Sequence, residues 1–407
     1  MQYRVDPRSG NKLSALGFGC MRFPRALNAA LTDRAKTEKL ILSAIDRGVN
    51  YFDTAFVYPG SEEVLGDILS KNKVRDKVFI ATKLPHAQCR SYEDFDDLFS
   101  AQTKRLKTDR IDYYLIHNIS SVSDLEGLKK LGIERWIREK KSSGAIGRAG
   151  FSFHGAQKDF LSLLDSYEWD FCQIQYNYMN ENYQAGRAGL NKAHEKGLPV
   201  IVMEPLLGGK LANGLPKEAA RIQSAEGGGL SPAAWALRWL WDQPEVTVVL
   251  SGMSSEKQLD ENAETAADSS AGMLSENDLR VYSSVAEVMT KAYKLPCTGC
   301  DYCMPCPRGV NIPGCFAAYN TSFVLGFVAG ITQYITGTGS SGDPEKRTGS
   351  RKCEKCGLCE KKCPQHIGII SALEDVTKRM EPFWFGPSMK LVSGARKKKS
   401  KKEKPSA

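Results

Sequence analysis

The sequence predicts a closed, parallel (β/α)8 TIM barrel followed by a small, mainly α-helical domain. Over the first 290 residues, short runs rich in β-branched and aromatic residues alternate with amphipathic stretches, which is typical of β-α units. Eight such units in roughly 250 residues favour a closed barrel. No G-x-G-x-x-G turn follows the first predicted strand, which argues against an open doubly wound sheet. Further along, eight of the twelve cysteines form two close runs, which indicates a separate domain.

The predicted elements follow one another in a regular order. Eight strands are expected at residues 16–20, 50–53, 78–83, 112–117, 147–152, 171–176, 200–204 and 247–251. Helices are expected between them at 37–47, 61–71, 92–106, 125–141, 184–196, 231–241 and 256–267. The second domain is expected to contain helices at 310–334 and 371–380, with a flexible loop at 337–344. These patterns divide the chain into a barrel at 1–290, a second domain at 291–385 and a basic disordered tail at 386–407.

The positive charge of the chain is concentrated at its C-terminus. The formal net charge is +9, and residues 394–407 hold seven basic side chains and one acidic one. Such a tail is usually solvated, so we expect from it neither specific nucleic-acid binding nor membrane binding. The longest apolar stretch, 323–331, is too short to span a bilayer. Nothing at the start of the chain resembles a secretion signal, and we expect a soluble cytoplasmic protein.

The two cysteine runs have the spacing of iron–sulfur ligands. The second run reads C-x2-C-x2-C-x3-C-P, which places three thiolates on one [4Fe–4S] cluster and directs the fourth to a neighbouring cluster. Structural zinc sites also use cysteine, but they usually take two close pairs separated by a longer loop. The first run ends with a gap of two residues instead of three, so the sequence predicts at least one cluster and allows two. With the fourth cysteines crossing over, the predicted ligand sets are Cys297, Cys300, Cys303 and Cys363 for one cluster and Cys353, Cys356, Cys359 and Cys306 for the other.

Proton-handling side chains follow the ends of three consecutive predicted strands. Asp53 ends the second strand, and Tyr58 lies in the loop after it. Lys83 ends the third strand, and His117 ends the fourth. The carboxyl ends of barrel strands form the catalytic face, so we expect these side chains to meet there. Each alone has an ordinary structural explanation, such as a turn cap or a core histidine, but together they predict an acid–base site.

At these residues the chain resembles the aldo-keto reductases. The similarity lies in NYFDTAFVY at 50–58, TK at 82–83 and YLIH at 114–117, and it continues in GSEEVLG at 60–66 and RLKTDRID at 105–112. It covers residues 12–268, and with the cysteine runs the whole chain resembles the subgroup with a fused C-terminal 4Fe-4S ferredoxin-type domain. The resemblance implies hydride transfer between NADP or NAD and a small carbonyl or alcohol.

The physical chemistry of the four side chains fits that reaction. A free tyrosine is a poor proton donor at neutral pH, and a lysine beside it lowers the pKa of the phenol. We therefore expect Tyr58 to protonate the carbonyl oxygen, with Lys83 beside it and Asp53 holding the lysine. His117 is expected to donate a hydrogen bond that orients the same oxygen.

The resemblance also implies a site for the nicotinamide cofactor. Ser152 and Gln173 take the positions that bind the nicotinamide amide, with Phe153 where the family usually has asparagine. Met203 stands where many members stack an aromatic ring on the nicotinamide, and Gln258 stands where phosphate-preferring members have arginine. The sequence is thus compatible with either NADP or NAD. The implied cofactor-binding residues are Ser152, Gln173, Met203, Leu206, Ser251, Met253, Gln258, Glu261 and Asn262.

These residues suggest three candidate functions. A nicotinamide-dependent carbonyl reductase or alcohol dehydrogenase with attached clusters uses all four acid–base side chains. An electron-transfer or complex-forming iron–sulfur protein would use the barrel mainly as a scaffold, with a redox protein as its partner. A Schiff-base lyase or aldolase acting through Lys83 is disfavoured, because a carboxylate beside the amine keeps it charged. His154 is expected on the catalytic face near the substrate, whereas His86, His194 and His366 are expected in loops or at the surface.

Overall fold

The computed structural model of the chain describes residues 1–26, 32–338 and 347–381. The tail expected at 386–407, and most of the loop expected at 337–344, lie outside the described residues. The strands are β1 Tyr3–Val5, β2 Lys12–Ser14, β3 Leu16–Gly19, β4 Tyr51–Asp53, β5 Phe79–Leu84, β6 Ile111–Ile119, β7 Ile146–Phe153, β8 Phe171–Gln175, β9 Val200–Met203 and β10 Val246–Ser251. The α-helices are α1 Arg34–Asp46, α2 Ser61–Lys71, α3 Glu93–Leu106, α4 Val122–Lys130, α5 Ile133–Ser142, α6 Gln157–Asp165, α7 Gly186–Glu195, α8 Lys210–Asn213, α9 Lys217–Glu226, α10 Pro232–Trp241, α11 Glu256–Ala267, α12 Glu276–Ala292, α13 Ile312–Val324, α14 Phe327–Gly337 and α15 Ile369–Met380.

Strands β3 to β10 form the predicted closed barrel. Each pairs in parallel with the next, and β10 closes the barrel by pairing with β3. The eight predicted strands agree with β3 to β10 to within two residues at each end. The chain divides into two compact units, and the first, which contains the barrel, comprises Met1–Leu207 and Gly229–Arg280. The predicted barrel is therefore confirmed.

A short antiparallel hairpin, β1 with β2, covers the N-terminal end of the barrel and was not predicted. Leu13 from β2 packs in the barrel interior with Tyr51, Tyr113 and Phe171, which lie in the first halves of their strands. The hydroxyl of Tyr113 donates a hydrogen bond of 2.9 Å to the buried carboxylate of Asp6. Three-residue strands with mixed polarity carry too little periodicity to be recognised in the sequence.

The register of the barrel strands gathers polar side chains at the opposite, C-terminal end. Successive side chains of a strand point to opposite faces, so residues two apart share the interior. Following the buried Tyr51, the next interior residue of β4 is Asp53, which is in register with Ala81 of β5. Lys83 lies two residues beyond Ala81 and is in register with Leu115 of β6. The first halves of the strands therefore fill the core, and their ends form a polar site.

Two helices that the sequence predicts as continuous are each divided at a glycine. The helix expected at 125–141 is α4 and α5, separated at Gly132, where φ is 92°. The helix expected at 310–334 is α13 and α14, separated at Gly326, where φ is 95°. Glycine adopts positive φ without the steric penalty of a Cβ atom, so a chain reversal is possible at both positions. Because the apolar spacing continues across each turn, periodicity did not reveal the break.

The second unit contains Gly208–Gly228 together with the described residues from Val281 onward. The Tyr293 hydroxyl donates to the Gly214 backbone oxygen at 2.6 Å, which joins the two segments. Gly208 has φ of 69°, and a Cβ atom there would lie 2.2 Å from the backbone oxygen of Thr298, so this close approach requires glycine. No helix in the described part of the chain has the length and apolarity needed to cross a bilayer.

Candidate active site and cluster-binding region

The side chain of Lys83 is completely buried at the C-terminal end of β5. Its Nζ atom lies 2.7 Å from both carboxylate oxygens of Asp53 and 2.7 Å from the backbone oxygen of Thr54. An ammonium group has three N–H donors, so this environment uses all of them. Burial raises the pKa of Asp53, while the adjacent Lys83 acts in the opposite direction. The lysine is thus held in one position by a buried ion pair.

Tyr58 and His117 complete the group of four predicted side chains. The Lys83 Nζ atom lies 5.4 Å from the centroid of the Tyr58 ring. The rings of Tyr58 and His117 meet edge to face, with centroids 6.1 Å apart and planes at 88°. The structure therefore brings Asp53, Lys83, Tyr58 and His117 together, as the strand ends predicted.

His117 is 7% exposed and lies among other basic groups. Its pKa lies well below the usual range because burial disfavours the cation, and Lys83, His154 and His86 act in the same direction. The imidazole is therefore neutral at physiological pH, with one N–H donor. The Nδ1 atom of His86 lies 2.6 Å from the backbone oxygen of His117, to which it donates when protonated. His86 begins the short 3₁₀ helix His86–Gln88 that follows β5, and its contact with His117 was not expected from the sequence.

A buried hydrogen-bond network attaches the end of β5 to α2 and α3. The Gln102 Nε2 atom donates to the Lys83 backbone oxygen at 3.1 Å and to Glu62 Oε1 at 2.8 Å. Thr82 donates to the same Glu62 oxygen at 2.6 Å, and Tyr114 donates to Gln102 Oε1 at 2.7 Å. Neither Gln102 nor Glu62 was predicted to take part in the site. Only the family-like GSEEVLG segment, which contains Glu62, could have indicated such a role.

The residues predicted to bind the nicotinamide lie side by side on the interior face. Ser152 of β7 and Gln173 of β8 are direct register partners. The Gln173 Nε2 atom lies 3.5 Å from the Met203 sulfur. The Oε1 atom of Gln173 is buried without a hydrogen-bond partner among the described residues. Ser152 Oγ accepts from the Asn118 backbone N–H at 2.8 Å. A buried, unsatisfied amide oxygen fits the amino group of a nicotinamide carboxamide.

The residues predicted to bind the adenosine part lie in β10, in the loop after it and in α11. Asn262 donates to Ser251 Oγ at 3.0 Å, and Met253 is buried. The side-chain oxygen of Gln258 accepts from the Ser254 backbone N–H at 2.8 Å, which holds the loop against the first turn of α11. Gln258 thus orders the loop that follows β10. Glu261 lies in α11, and Leu206 is half-buried in the turn after β9.

A chain of buried polar side chains extends from His154. Its Nδ1 atom lies 3.1 Å from Gln184 Oε1, and Gln184 Nε2 donates to Gln175 Oε1 at 2.9 Å. Gln184 has φ of 57°, a left-handed conformation that is uncommon for a residue other than glycine. His154 was predicted near the substrate, and the structure adds the two glutamines.

Four cysteines of the two runs line one cavity in the second unit. Cys297, Cys300 and Cys303 of the first run line this cavity together with Cys363 of the second. Among the described residues, no three Cys, His, Asp or Glu side chains approach closely enough to hold a single metal ion. Thiolates spaced around a cavity fit a cluster of several metal ions. The ion pair of Arg308 with Glu354 brings the end of the first run beside the start of the second.

The two cysteine runs share one backbone pattern despite their different last gaps. Gly299 and Lys355, each two residues after the first cysteine of its run, have φ of 68° and 59°. Asp301 and Gly357, each directly after the second cysteine, have φ of 63° and 75°. Left-handed residues at matching positions give both runs the same winding, although Lys355 and Asp301 carry side chains. The irregular spacing of the first run therefore affects only its last cysteine, Cys306.

A parallel barrel with this acid–base site defines a class of oxidoreductases, and comparison with known proteins identifies the family. The Aldo/keto reductase family matches residues 15–271, and a 4Fe-4S dicluster domain matches residues 296–368. The first match spans more than half of the chain. The protein therefore belongs to the aldo/keto reductase family.

Individual relatives are distant. The L-glyceraldehyde 3-phosphate reductase of Escherichia coli strain K12 is 27% identical over 308 residues, covering 65% of this chain and 87% of the relative. The 6-dehydroglucose reductase of Novosphingobium aromaticivorans is 26% identical over 291 residues, covering 64% and 89%.

Two solved structures share the fold. Aldo-keto reductase AKR11C1 from Bacillus halodurans, in its holo form, has a TM-score of 0.58 and 22% identity, covering 71% of this chain and 97% of its own. An aldo-keto reductase from Klebsiella pneumoniae in complex with NADPH has a TM-score of 0.56 and 22% identity, covering 70% and 95%. The protein is thus an NAD(P)-dependent oxidoreductase with an attached 4Fe-4S dicluster domain.

Proposed function

We propose that the barrel transfers hydride between NADP or NAD and a small aldehyde, ketone or alcohol. The observation that carries this proposal is the buried Lys83 ammonium, which is held by Asp53 and lies beside the Tyr58 ring. Two relatives are reductases of L-glyceraldehyde 3-phosphate and of 6-dehydroglucose, which supports a small carbonyl substrate for this chain as well.

The acid–base residues have distinct roles in this proposal. Tyr58 donates a proton to the carbonyl oxygen during reduction and accepts it during alcohol oxidation. Lys83 stabilises the phenolate that remains, because a positive charge beside a phenol favours its ionised form. Asp53 balances and positions Lys83 through the ion pair. His117, neutral and buried, donates a hydrogen bond that orients the substrate oxygen.

The cofactor residues hold the nicotinamide and adenosine parts separately. Gln173 and Ser152 would bind the carboxamide, and the Met203 thioether would contact the nicotinamide part. The residues that would hold the adenosine part are Ser251, Met253, Gln258, Glu261 and Asn262, and Leu206 would be a further cofactor contact. The bound nicotinamide supplies the hydride.

The second unit is proposed to bind two [4Fe–4S] clusters through the crossed cysteine sets. We keep as a proposal a cluster domain at residues 291–385, a barrel domain at 1–290 and a basic tail at 386–407. The second compact unit begins earlier than this cluster domain, at Val281, and also includes Gly208–Gly228. Clusters of this type pass single electrons, so a separate redox protein is the proposed partner. The twelve cysteines are free of disulfide bonds in the structure, which supports work in a reducing, cytoplasmic compartment.

An alternative function is an electron-transfer protein whose barrel is mainly a scaffold. The dicluster domain favours this alternative. The retained group of four acid–base side chains favours hydride chemistry, because a scaffold has no need of a buried lysine that desolvation makes costly.

The deciding experiment is the transfer of deuterium from NADPH or NADH that carries deuterium at both C4 positions to a panel of small aldehydes and ketones in ordinary water. Direct hydride transfer places one deuterium on the carbon of the new alcohol. A route through the clusters takes that hydrogen from solvent and leaves the carbon unlabelled. The absence of any alcohol product, with cofactor binding detected by fluorescence, would favour the scaffold.

A further inference from the structure

The turn that joins α13 to α14 exposes an uncharged, apolar surface. Residues 323–328 read FVLGFV, and we call this segment the apolar turn. The side chains of Leu325 and Val328 are 60% and 76% exposed, and those of Phe323 and Phe327 are 37% and 38% exposed. A contiguous exposed apolar patch on a monomer usually marks an interaction site.

Two positively charged side chains border the apolar turn, and we call them the basic rim. The guanidinium carbon of Arg379 lies 4.0 Å from the centroid of the Phe323 ring and 5.6 Å from that of Phe327. Its Nε atom donates to Ser322 Oγ at 2.6 Å, which fixes the side chain against the turn. Lys294 Nζ lies 5.6 Å from the same Phe323 ring. Long cationic side chains that lie along apolar groups are typical of a boundary between apolar matter and water.

The sequence continues from this region into strongly basic chain. Arg379 stands two residues before Glu381, where the described structure ends, and residues 394–407 carry seven basic side chains and one acidic one. From Glu381 to the first of these basic residues, Arg396, the chain can extend at most about 50 Å. Between them lies the aromatic run FWF at 383–385, and aromatic residues are frequent where proteins meet the lipid headgroup layer.

We propose that the apolar turn and its basic rim dock the protein on an anionic lipid surface. The apolar turn enters the interfacial layer, and the rim and the basic C-terminal residues contact lipid phosphates. Durable binding to a membrane surface usually needs two signals, and an apolar insertion with a polybasic segment supplies both. The protein would lie on the membrane, which agrees with the short apolar stretches of its described helices.

Charge complementarity favours lipid over a second copy of the chain. A two-fold symmetric dimer through the apolar turn would bring Arg379 and Lys294 close to their counterparts in the partner. Like charges at an interface are repulsive, whereas anionic headgroups attract them. Coverage of the turn by the protein's own residues 383–385 would leave the basic rim without an acidic partner. A second copy of the chain and the protein's own residues 383–385 are therefore the alternative occupants that the test must distinguish from lipid.

The test is sedimentation of the full, anaerobically purified protein with vesicles. We use phosphatidylcholine vesicles with and without phosphatidylglycerol, at low and at high salt. Binding is expected to require phosphatidylglycerol and to weaken at high salt, because salt screens the contacts between basic side chains and headgroups. The Leu325→Ser/Val328→Ser variant is expected to show a partition coefficient lower by about tenfold or more. The control Val5→Ser/Leu279→Ser changes two other exposed apolar residues, 57% and 40% exposed, and is expected to bind as the wild type does.

A second variant keeps the proposal testable if the first loses iron or secondary structure. Replacing Lys397, Lys398 and Lys399 by glutamate leaves every described residue unchanged and is expected to weaken vesicle binding by about tenfold. The proposal is wrong if the wild type does not bind vesicles with phosphatidylglycerol, or if both variants bind as tightly as the wild type. It is also wrong if the wild type does not bind vesicles but forms a dimer, and the Leu325→Ser/Val328→Ser variant is a monomer.

Discussion

The Nζ atom of Lys83 lies 2.7 Å from each carboxylate oxygen of Asp53, and the two residues are 0% and 4% exposed. This arrangement is a buried ion pair in which the ammonium group is equally close to both carboxylate oxygens. Burying either charge alone is strongly unfavourable, so each side chain depends on the other for its charged state. The pair is therefore the structural basis on which the chemistry of Tyr58 is expected to depend.

Removing one member of this pair is expected to destabilise the barrel. Asp53→Asn or Lys83→Met should each lower the free energy of unfolding by roughly 3–5 kcal/mol, because the remaining charge is left buried without a partner. The double variant should lose less than the sum of the two single changes. Denaturation followed by circular dichroism measures the cycle. The exposed pair of Lys39 and Glu256, 2.9 Å apart, is the control and should give a coupling close to zero.

The Tyr58→Phe variant is expected to lose turnover but to keep its cofactor. The substitution removes the proton donor and leaves the ring that packs against Lys83 and His117. We expect kcat to fall by about 10²–10⁴-fold with the affinity for nicotinamide unchanged. Steady-state kinetics and fluorescence titration provide the two measurements. Tyr92→Phe removes an exposed hydroxyl that binds Glu139 and should leave both values as they are. Near wild-type carbonyl reduction by Tyr58→Phe would show that another group supplies the proton.

The stability of the barrel is expected to fall in acid partly through His117. The pKa of His117 is lowered in the folded protein by burial and by nearby cationic groups. Below about pH 6.5 the imidazole is therefore protonated in the unfolded chain but stays neutral in the folded protein. Stability from this source is present above that pH and is lost as the pH falls towards the folded pKa. Compared with His117→Gln, the wild type should lose up to about 1.4 kcal/mol more per pH unit in this window. Unfolding at a series of pH values tests this, and parallel curves for the two proteins would contradict it.

The cluster domain is expected to hold about eight iron atoms per chain, four for each cluster. Cys363→Ser should disturb the cluster held by the first run, because Cys363 lines the same cavity as Cys297, Cys300 and Cys303. Cys306→Ser should disturb the other one. Anaerobic iron quantitation and electron paramagnetic resonance measure both effects. Cys315→Ala, at a buried cysteine outside the ligand sets, is the control and should retain full iron. About four iron atoms in fully loaded wild type would mean that the first run holds no separate cluster.

Nicotinamide-driven carbonyl reduction is expected to be independent of the clusters. A nicotinamide gives two electrons as hydride and a [4Fe–4S] cluster passes one, so exchange between them needs a converter such as flavin, for which the barrel carries no sequence signature. The Cys356→Ser variant should therefore oxidise NADPH with an aldehyde at the wild-type rate. Loss of activity in a variant that stays folded and binds cofactor would show an internal electron path. Stoichiometric flavin in the wild type would point to the same conclusion.

Much of the fold and of the acid–base site is encoded locally. Strands β3 to β10 were predicted because buried parallel strands read as short apolar runs, and the (β/α)8 topology places the end of every strand on one face. Asp53, Lys83 and His117 could be grouped from strand ends alone, before any distance was known. The cysteine spacing predicted the cluster ligands for the same reason, since a few residues of chain decide which thiolates can reach one cluster.

Other features depended on contacts between residues far apart in the sequence. The turns at Gly132 and Gly326 interrupt apolar patterns that continue on both sides, so only packing shows where the chain reverses. Gln102 reaches Lys83 and Glu62 across 19 and 40 residues, and no local signal records such a partner. The sequence by itself thus determined the barrel and the residue types of its chemistry. The tertiary structure decided which buried polar atoms find partners, because hydrogen-bond satisfaction depends on the whole packed environment.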